Sequence, residues 1–471
     1  MDPARDTIAL ELTLTPAAVP LLRRHLGSAL GRARRINLTW HDRDGVLAAR
    51  GIALVAWREA QVTGWRVEPL LPAVGMPPIA SGKAVVLTGL AGFDLPDDLA
   101  PVQNFVGQLR EGIVDGVALR LVTGQFDAAA AEHLARLTLS GPAGVTAMLA
   151  QALASNVALR VPADSLAAEA QKLAGIAIPP RPLGAPILPA DLSPGDAFAH
   201  AATHLLGVVL HHAPDAAAGM TGEPVHQMRV ALRRLRSLTG LFQSAIACPE
   251  VEALRPVVKA LATALGPARD WDVFLAETGR AVAAAFPDEP AVATLIAAAE
   301  RHRAAAYADL AILLAGPALH TMALETVILA QARPWPASPQ NTAEFGASLL
   351  TRRLRRVAKR RTAPGGLSDA ELHQLRLKAK RLRYAAEIFA SLFPGRQARH
   401  FLNRVAALQQ ALGLLNDGVV AAALMQHLAD EGGTGLAGGM VRGFVAAGAR
   451  DARADSTHAW RRLRKTAAFW A

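Results

Sequence analysis

The sequence predicts a multidomain α and β protein, with an antiparallel β-rich N-terminal domain followed by an all-α C-terminal one. Three observations predict it. Residues 7–60 and 80–140 hold short alternating runs bounded by Gly, Pro or Asp. Residues 179–195 are Pro-rich and aperiodic. Beyond them lie long Ala/Leu/Arg stretches poor in β-branched residues, in which one basic motif occurs twice.

In chain order, TIALELTL, GIALVAW, KAVVLTGL and ALRLVTG read as antiparallel strands, because apolar and polar residues alternate over the length of a strand. The proline-rich run PPRPLGAPILPADLSP reads as a linker, giving a first domain over 1–178, the linker over 179–195 and a helical domain over 196–471. Within the last, VHQMRVALRRLRSL (225–238) and LHQLRLKAKRLRYA (372–385) align at an offset of 147 residues without insertion. The same offset carries Leu241-Phe242 onto Ile388-Phe389, Leu265-Gly266 onto Leu412-Gly413 and Asp270 onto Asp417. The helical domain is therefore two like halves, about 197–340 and 341–471.

At ~100° of rotation per residue, His226, Arg229, Arg233 and Arg236 share one arc, while Met228, Leu232, Leu235 and Phe242 fall on another. His373, Arg376, Lys380 and Arg383 share an arc in the second copy, with Leu375, Ala379, Leu382 and Phe389 on the packed side. Ser368-Asp369-Ala370-Glu371 has the form of a capping box at the start of the second helix.

Charge is unevenly placed. Residues 1–190 hold 17 basic and 16 acidic side chains, so net +10 of the chain's +11 lies in the remainder, which is where an acidic partner is expected. The lone Cys248 cannot form an internal disulfide, and no signal-like stretch or apolar run of about 18 residues is present, which together predict a soluble cytoplasmic protein.

Arg grips phosphate oxygens with a planar fork and Lys acts as a point charge on the same anion. Cations at i, i+3, i+7 and i+10 make a row about 15 Å long, which suits a chain of phosphates better than a single one. LLTRRLRRVAKRR (349–361) adds a secondary basic surface of Arg352, Arg353, Arg356, Lys359 and Arg360. His226 and His373 read either as helix-start or core histidines or as further phosphate donors, in which case binding tightens as pH falls toward 6. No metal site or cofactor is expected, since neither copy has a second His or a Cys at i+3 or i+4 and His211-His212 has no evident partners. Asp270, Asp272 and Asp417 read as helix caps, with the alternative that they orient arginines toward a ligand; neither role is catalytic. Tyr384 reads as the one outward ring on the motif helices, few enough to favour a ligand without bases.

The paired motifs, each followed by Leu-Gly-x-x-x-Asp, resemble the CHAD family of histidine-bearing α-helical domains over about 195–471. The resemblance implies two four-helix bundles related by pseudo-twofold symmetry. It implies a basic cleft that binds inorganic polyphosphate and targets its granules, with granule proteins as further partners and no membrane. Carried over, the binding residues are His226, Arg229, Arg233, Arg234, Arg236, His373, Arg376, Lys380, Arg381 and Arg383. One departure is that the segment 147 residues before the helix at 349–361 holds only His204, His211 and His212, so the halves carry unequal charge.

The first domain resembles the CYTH family of triphosphate tunnel enzymes in degenerate form. Its opening strand retains Glu11 where Glu-x-Glu-x-Lys is expected, LARLTLSGP shows Arg136 and Thr138 where paired glutamates are expected, and Ser165-Leu166 replaces Ser-Lys. Metal-assisted phosphoryl chemistry needs carboxylates to hold divalent ions, so the resemblance implies a barrel without triphosphatase activity. Two alternatives to a non-catalytic polyphosphate binder are a divalent-metal triphosphatase or polyphosphatase acting through the first domain, and a nucleic-acid-binding protein.

Overall fold

The computed structural model describes residues 7–59, 62–77, 85–87, 95–96, 98–127, 133–332, 335–359, 362–428 and 435–471. They divide into two compact units. One comprises Met1–Gly184, Ala202–His211 and Gly316–Pro334; the other comprises Ala185–Ala201, His212–Ala315 and Trp335–Ala471. This division does not follow the chain in the simple order that the proline-rich linker suggests.

The first unit is built on an antiparallel sheet of eight strands among the described residues, in the order β1-β8-β7-β6-β2-β3-β4-β5. The strands are β1 (Thr7–Leu14), β2 (Arg34–Asp42), β3 (Ile52–Glu59), β4 (Val62–Pro69), β5 (Val85–Leu87), β6 (Ala100–Val114), β7 (Val117–Phe126) and β8 (Leu134–Pro142). TIALELTL, GIALVAW and ALRLVTG all fall in strands, and Val85–Leu87 is the described part of KAVVLTGL. Alternation decides the faces: Ile36, Leu38 and Trp40 of β2 join Phe105, Leu109 and Phe126 in one core. The β6–β7 hairpin turns on Asp115-Gly116, both at positive φ (49° and 80°), the backbone that a two-residue turn between twisted strands requires.

Among the described residues this sheet forms the half-barrel of the expected β-rich domain, with β1 and β5 at its ends. The outer side of β1 is nevertheless paired, as Glu11 N–H donates to the Gly75 carbonyl and Thr13 exchanges bonds with Arg160 at 2.8 and 2.9 Å. Helices α1 (Val19–Leu26), α2 (Val46–Ala49), α3 (Ala143–Asn156) and α4 (Leu166–Leu173) belong to the same unit.

The remaining chain is helical: α5 (Pro194–Ala218), α6 (Glu223–Leu241), α7 (Gln243–Ile246), α8 (Pro249–Ala264), α9 (Gly266–Val273), α10 (Arg280–Ala285), α11 (Pro290–Ala315), α12 (Pro317–Ala332), α13 (Thr342–Ala358), α14 (Asp369–Phe389), α15 (Arg396–Leu428) and α16 (Gly435–Arg464). The 147-residue offset runs through them, matching α5 with α13, α6 with α14, α8 and α9 with α15, and α11 with α16. α12 packs on α3 and β1 in the sheet unit, where Ala9 N–H donates to Gln331 Oε1 at 3.2 Å.

Two pairs of equivalent phenylalanines lie at the centre of the helical unit. Phe198–Phe242 and their counterparts Phe345–Phe389 have ring centroids 6.2 and 6.3 Å apart, and Phe242 touches Phe389 at 5.5 Å. Burial of such rings, at roughly 25 cal/mol per Å², is what fixes α6 against α14. Among the described residues no single helix is long and apolar enough to cross a membrane.

Candidate functional site

The first motif lies on α6 and the second on α14, and both helices start where the sequence dictates. Pro224 occupies the first turn of α6, where a missing N–H costs nothing. At α14 the Ser368 hydroxyl accepts from Glu371 N–H and the Glu371 carboxylate accepts from Ser368 N–H, the expected capping box. Beside the α6 start lies Asp272, whose buried carboxylate accepts from Arg303 Nε at 2.7 Å and Tyr307 Oη at 2.8 Å. A Cβ at Gly222 would come within 2.7 Å of Asp272 Oδ2, so only glycine lets α6 begin this close.

Arg229 and Arg233 of the first copy and Arg376 and Lys380 of the second line one cavity of about 660 Å³ within the helical unit, together with His226, Arg269 and Asp270. Six basic groups and few acids share it, and their electrostatics show the strain of that company. Burial, then Arg233, Arg376, Arg229 and Arg236, push the Lys380 ammonium down to about 8. Burial also lowers the Arg229 guanidinium, with Asp270 opposing and Arg233 and Arg269 adding to the effect. Arg229 is steered by the Ala262 carbonyl at 3.2 Å and by Asp270 at 3.9 Å. Arg233 Nε is buried with no hydrogen-bond partner among the described residues.

The other motif residues go elsewhere. Arg234 and Arg383 both bind Glu387, at 2.8 and 2.7 Å, and all three side chains are largely buried or half-buried. Arg236, Arg381 and His373 are exposed and outside the cavity lining, so the two histidines are not equivalent. Burial lowers the His226 imidazole below its ordinary 6.5, with Arg269 adding to the effect, and moves the expected tightening of anion binding to lower pH. Tyr384 is a correction: its ring is buried on the packed side of α14, with Lys380 Nζ one turn earlier 5.9 Å from its centroid.

On α13, Arg353 is half-buried and pushed down to about 10 by burial and by Arg381, Arg356 and Arg352, so these four form a secondary cationic patch with exposed Lys359 nearby in sequence. Arg360 and the side chain of Asp417 lie outside the described residues. Asp270 and Asp272 sit well inside α9 and are not caps: one flanks Arg229 in the cavity, the other anchors α11. Arg269 was not singled out by the sequence reading, although it adjoins Asp270 in the repeated segment.

A second charged cluster lies in the sheet unit. Glu11 is buried and raised to about 7 by desolvation, opposed by Arg136 and reinforced by Glu68 and Glu169. Arg136 pairs with Glu169, and Arg66 with Glu68 at 2.7 Å. Glu11 and Thr138 are paired across β1 and β8, while Ser165 caps α4 by accepting from Ala168 N–H and donates to the Leu70 carbonyl. Among the described residues no group of three His, Cys, Asp or Glu side chains is placed to hold a metal ion.

Lys380 makes the site's affinity depend on pH. An anion raises its pKa from about 8 toward the ordinary 10.5, so both states are protonated below pH 8 and affinity there is level with respect to this group. Above pH 8 the free site loses a proton that binding must restore, and affinity for an anion is expected to fall by up to about tenfold per pH unit. Titration calorimetry between pH 7 and 10 reads this slope, and Lys380→Met removes it.

The family model of the CHAD domain matches residues 200–426. Among solved structures, the CHAD domain from the plant Ricinus communis is 29% identical, covering 62% of this chain and 98% of its own, with a TM-score of 0.52. PptA from Streptomyces chartreusis is 21% identical, covering 57% of this chain and 99% of its own, with a TM-score of 0.42. No curated protein matches.

Proposed function

From the premise that residues 200–426 form a CHAD domain, we propose that this protein is a non-catalytic binder of inorganic polyphosphate, associated with polyphosphate granules in the cytoplasm. The observation that carries it is the convergence of Arg229, Arg233, Arg376 and Lys380, two from each copy of the motif, on one cavity with His226 and Arg269. Convergence from both halves suits a long anion, because each phosphate contact contributes only about 1 kcal/mol and many must act together. The burial of Tyr384 takes the one ring read as outward on these two helices out of reach of a stacking base.

The sheet unit is read as a CYTH-like remnant without triphosphatase activity. Its carboxylates at Glu68 and Glu169 are bound to arginines, and Thr138 and Arg136 stand on β8 where acids would be needed.

The test is competition on the full chain at physiological salt. Long-chain polyphosphate is expected to be displaced by neither duplex DNA, RNA nor triphosphate at equal phosphate concentration, and triphosphate with Mg²⁺ or Mn²⁺ is expected to release no phosphate. Displacement by DNA would make nucleic acid the better ligand, and phosphate release would make the protein an enzyme.

A further inference from the structure

The same cavity has lining that a mineral polyanion leaves unused. Beside its cations stand Val273, Phe274, Leu414, Val420, Leu424 and Phe444, and the carboxylates of Asp270 and Glu277. Leu414 and Phe444 are 47% and 45% exposed, an apolar surface left in water next to a basic one. Phe274, Glu277 and Thr278 enter the lining from a π-helical turn, Phe274–Gly279, between α9 and α10. Such turns are rare and concentrate at functional sites.

Each part of this lining restricts the ligand. Phosphates gain nothing against leucine and phenylalanine, where they lose water, and are repelled by carboxylates. A prenyl diphosphate would use the cations and the apolar surface but has no donors for Asp270 and Glu277. A nucleoside polyphosphate uses all three: phosphates on the cations, the flat base on Phe444 and its aliphatic neighbours, and hydroxyl or amino donors on the two carboxylates. The cavity's 660 Å³ falls within the range of small-molecule sites.

We infer that the cavity takes a nucleoside polyphosphate, its base held on the Phe444 and Leu414 surface. The assignment rests on the anion-binding reading of the same cations. Calorimetry on the full chain would compare ATP and GTP with tripolyphosphate, geranylgeranyl diphosphate and long-chain polyphosphate. ATP or GTP is expected to bind at least about tenfold tighter than tripolyphosphate, and Phe444→Ala to weaken it about tenfold while leaving long-chain polyphosphate within about twofold. Leu414→Ala, also at an exposed position, is expected to act in the same direction, so the outcome does not hang on the folding of one variant. Equal binding of tripolyphosphate and both nucleotides, displacement of ATP by the prenyl diphosphate, or equal loss of both ligands in both variants would each overturn the assignment. Binding of long-chain polyphosphate without nucleotide binding would overturn this inference alone; loss of both would overturn the anion-site reading with it.

Discussion

Replacing Arg229, Arg233, Arg376 and Lys380 together by alanine is expected to lower affinity for long-chain polyphosphate by about a thousandfold and to leave helicity unchanged. The figure follows from four charge contacts of about 1 kcal/mol each, at 1.4 kcal/mol per factor of ten. All four side chains line the cavity and none is at the centre of the apolar core, so circular dichroism should not move. Filter retention at several salt concentrations checks the result, since removing phosphate contacts also flattens the dependence of log affinity on log salt. The control is Arg234→Ala, which should leave salt dependence nearly intact because that guanidinium is bound to Glu387. Retention unchanged in the quadruple variant would move the site off these helices.

Glu387→Gln destabilises the helical unit by about 2–3 kcal/mol. One carboxylate holds Arg234 from α6 and Arg383 from α14, with side-chain exposures of 12% for Glu387, 14% for Arg234 and 35% for Arg383. Breaking a buried pair costs about 3–5 kcal/mol, and the half-exposed Arg383 reduces that figure. Thermal unfolding should show a midpoint lower by roughly 5–10 °C for a unit of this size. A midpoint unchanged from the parent chain would mean that solvent already carries these charges.

Much of this arrangement was legible in the sequence. The constant offset between the two basic motifs located both helices, and of the two arcs, His226, Arg229, Arg233 and Arg236 on one helix and His373, Arg376, Lys380 and Arg383 on the other, the cavity takes His226, Arg229, Arg233, Arg376 and Lys380 but not Arg236, His373 or Arg383. Angular position on a helix could not say which arginines an acid would claim. Arg383 and Glu387 are four residues apart and could have been paired on sight, but that Glu387 also takes Arg234 depends on how α6 meets α14. The inequality of His226 and His373 has a signal in the sequence. The repeat fails where Asp272 and Tyr307 align with Val419 and Ala454, so the carboxylate beside the α6 start has no equivalent in the second half of the sequence. The apolar lining was less accessible still, because it comes from a π turn and from α15 and α16, far from the motifs along the chain.

α12 has a practical consequence for anyone wishing to divide this molecule. Its buried face, Leu319, Met322, Ala323, Leu324, Val327, Ile328 and Leu329, rests on α3 and β1, though more than a hundred residues of other helices intervene in the chain. A cut after residue 185 would strip the sheet of this cover and leave the helix with bare leucines, so both halves should be recovered as aggregates. Protease nicking at the proline-rich segment, by contrast, should yield two fragments that stay together until denaturant is added.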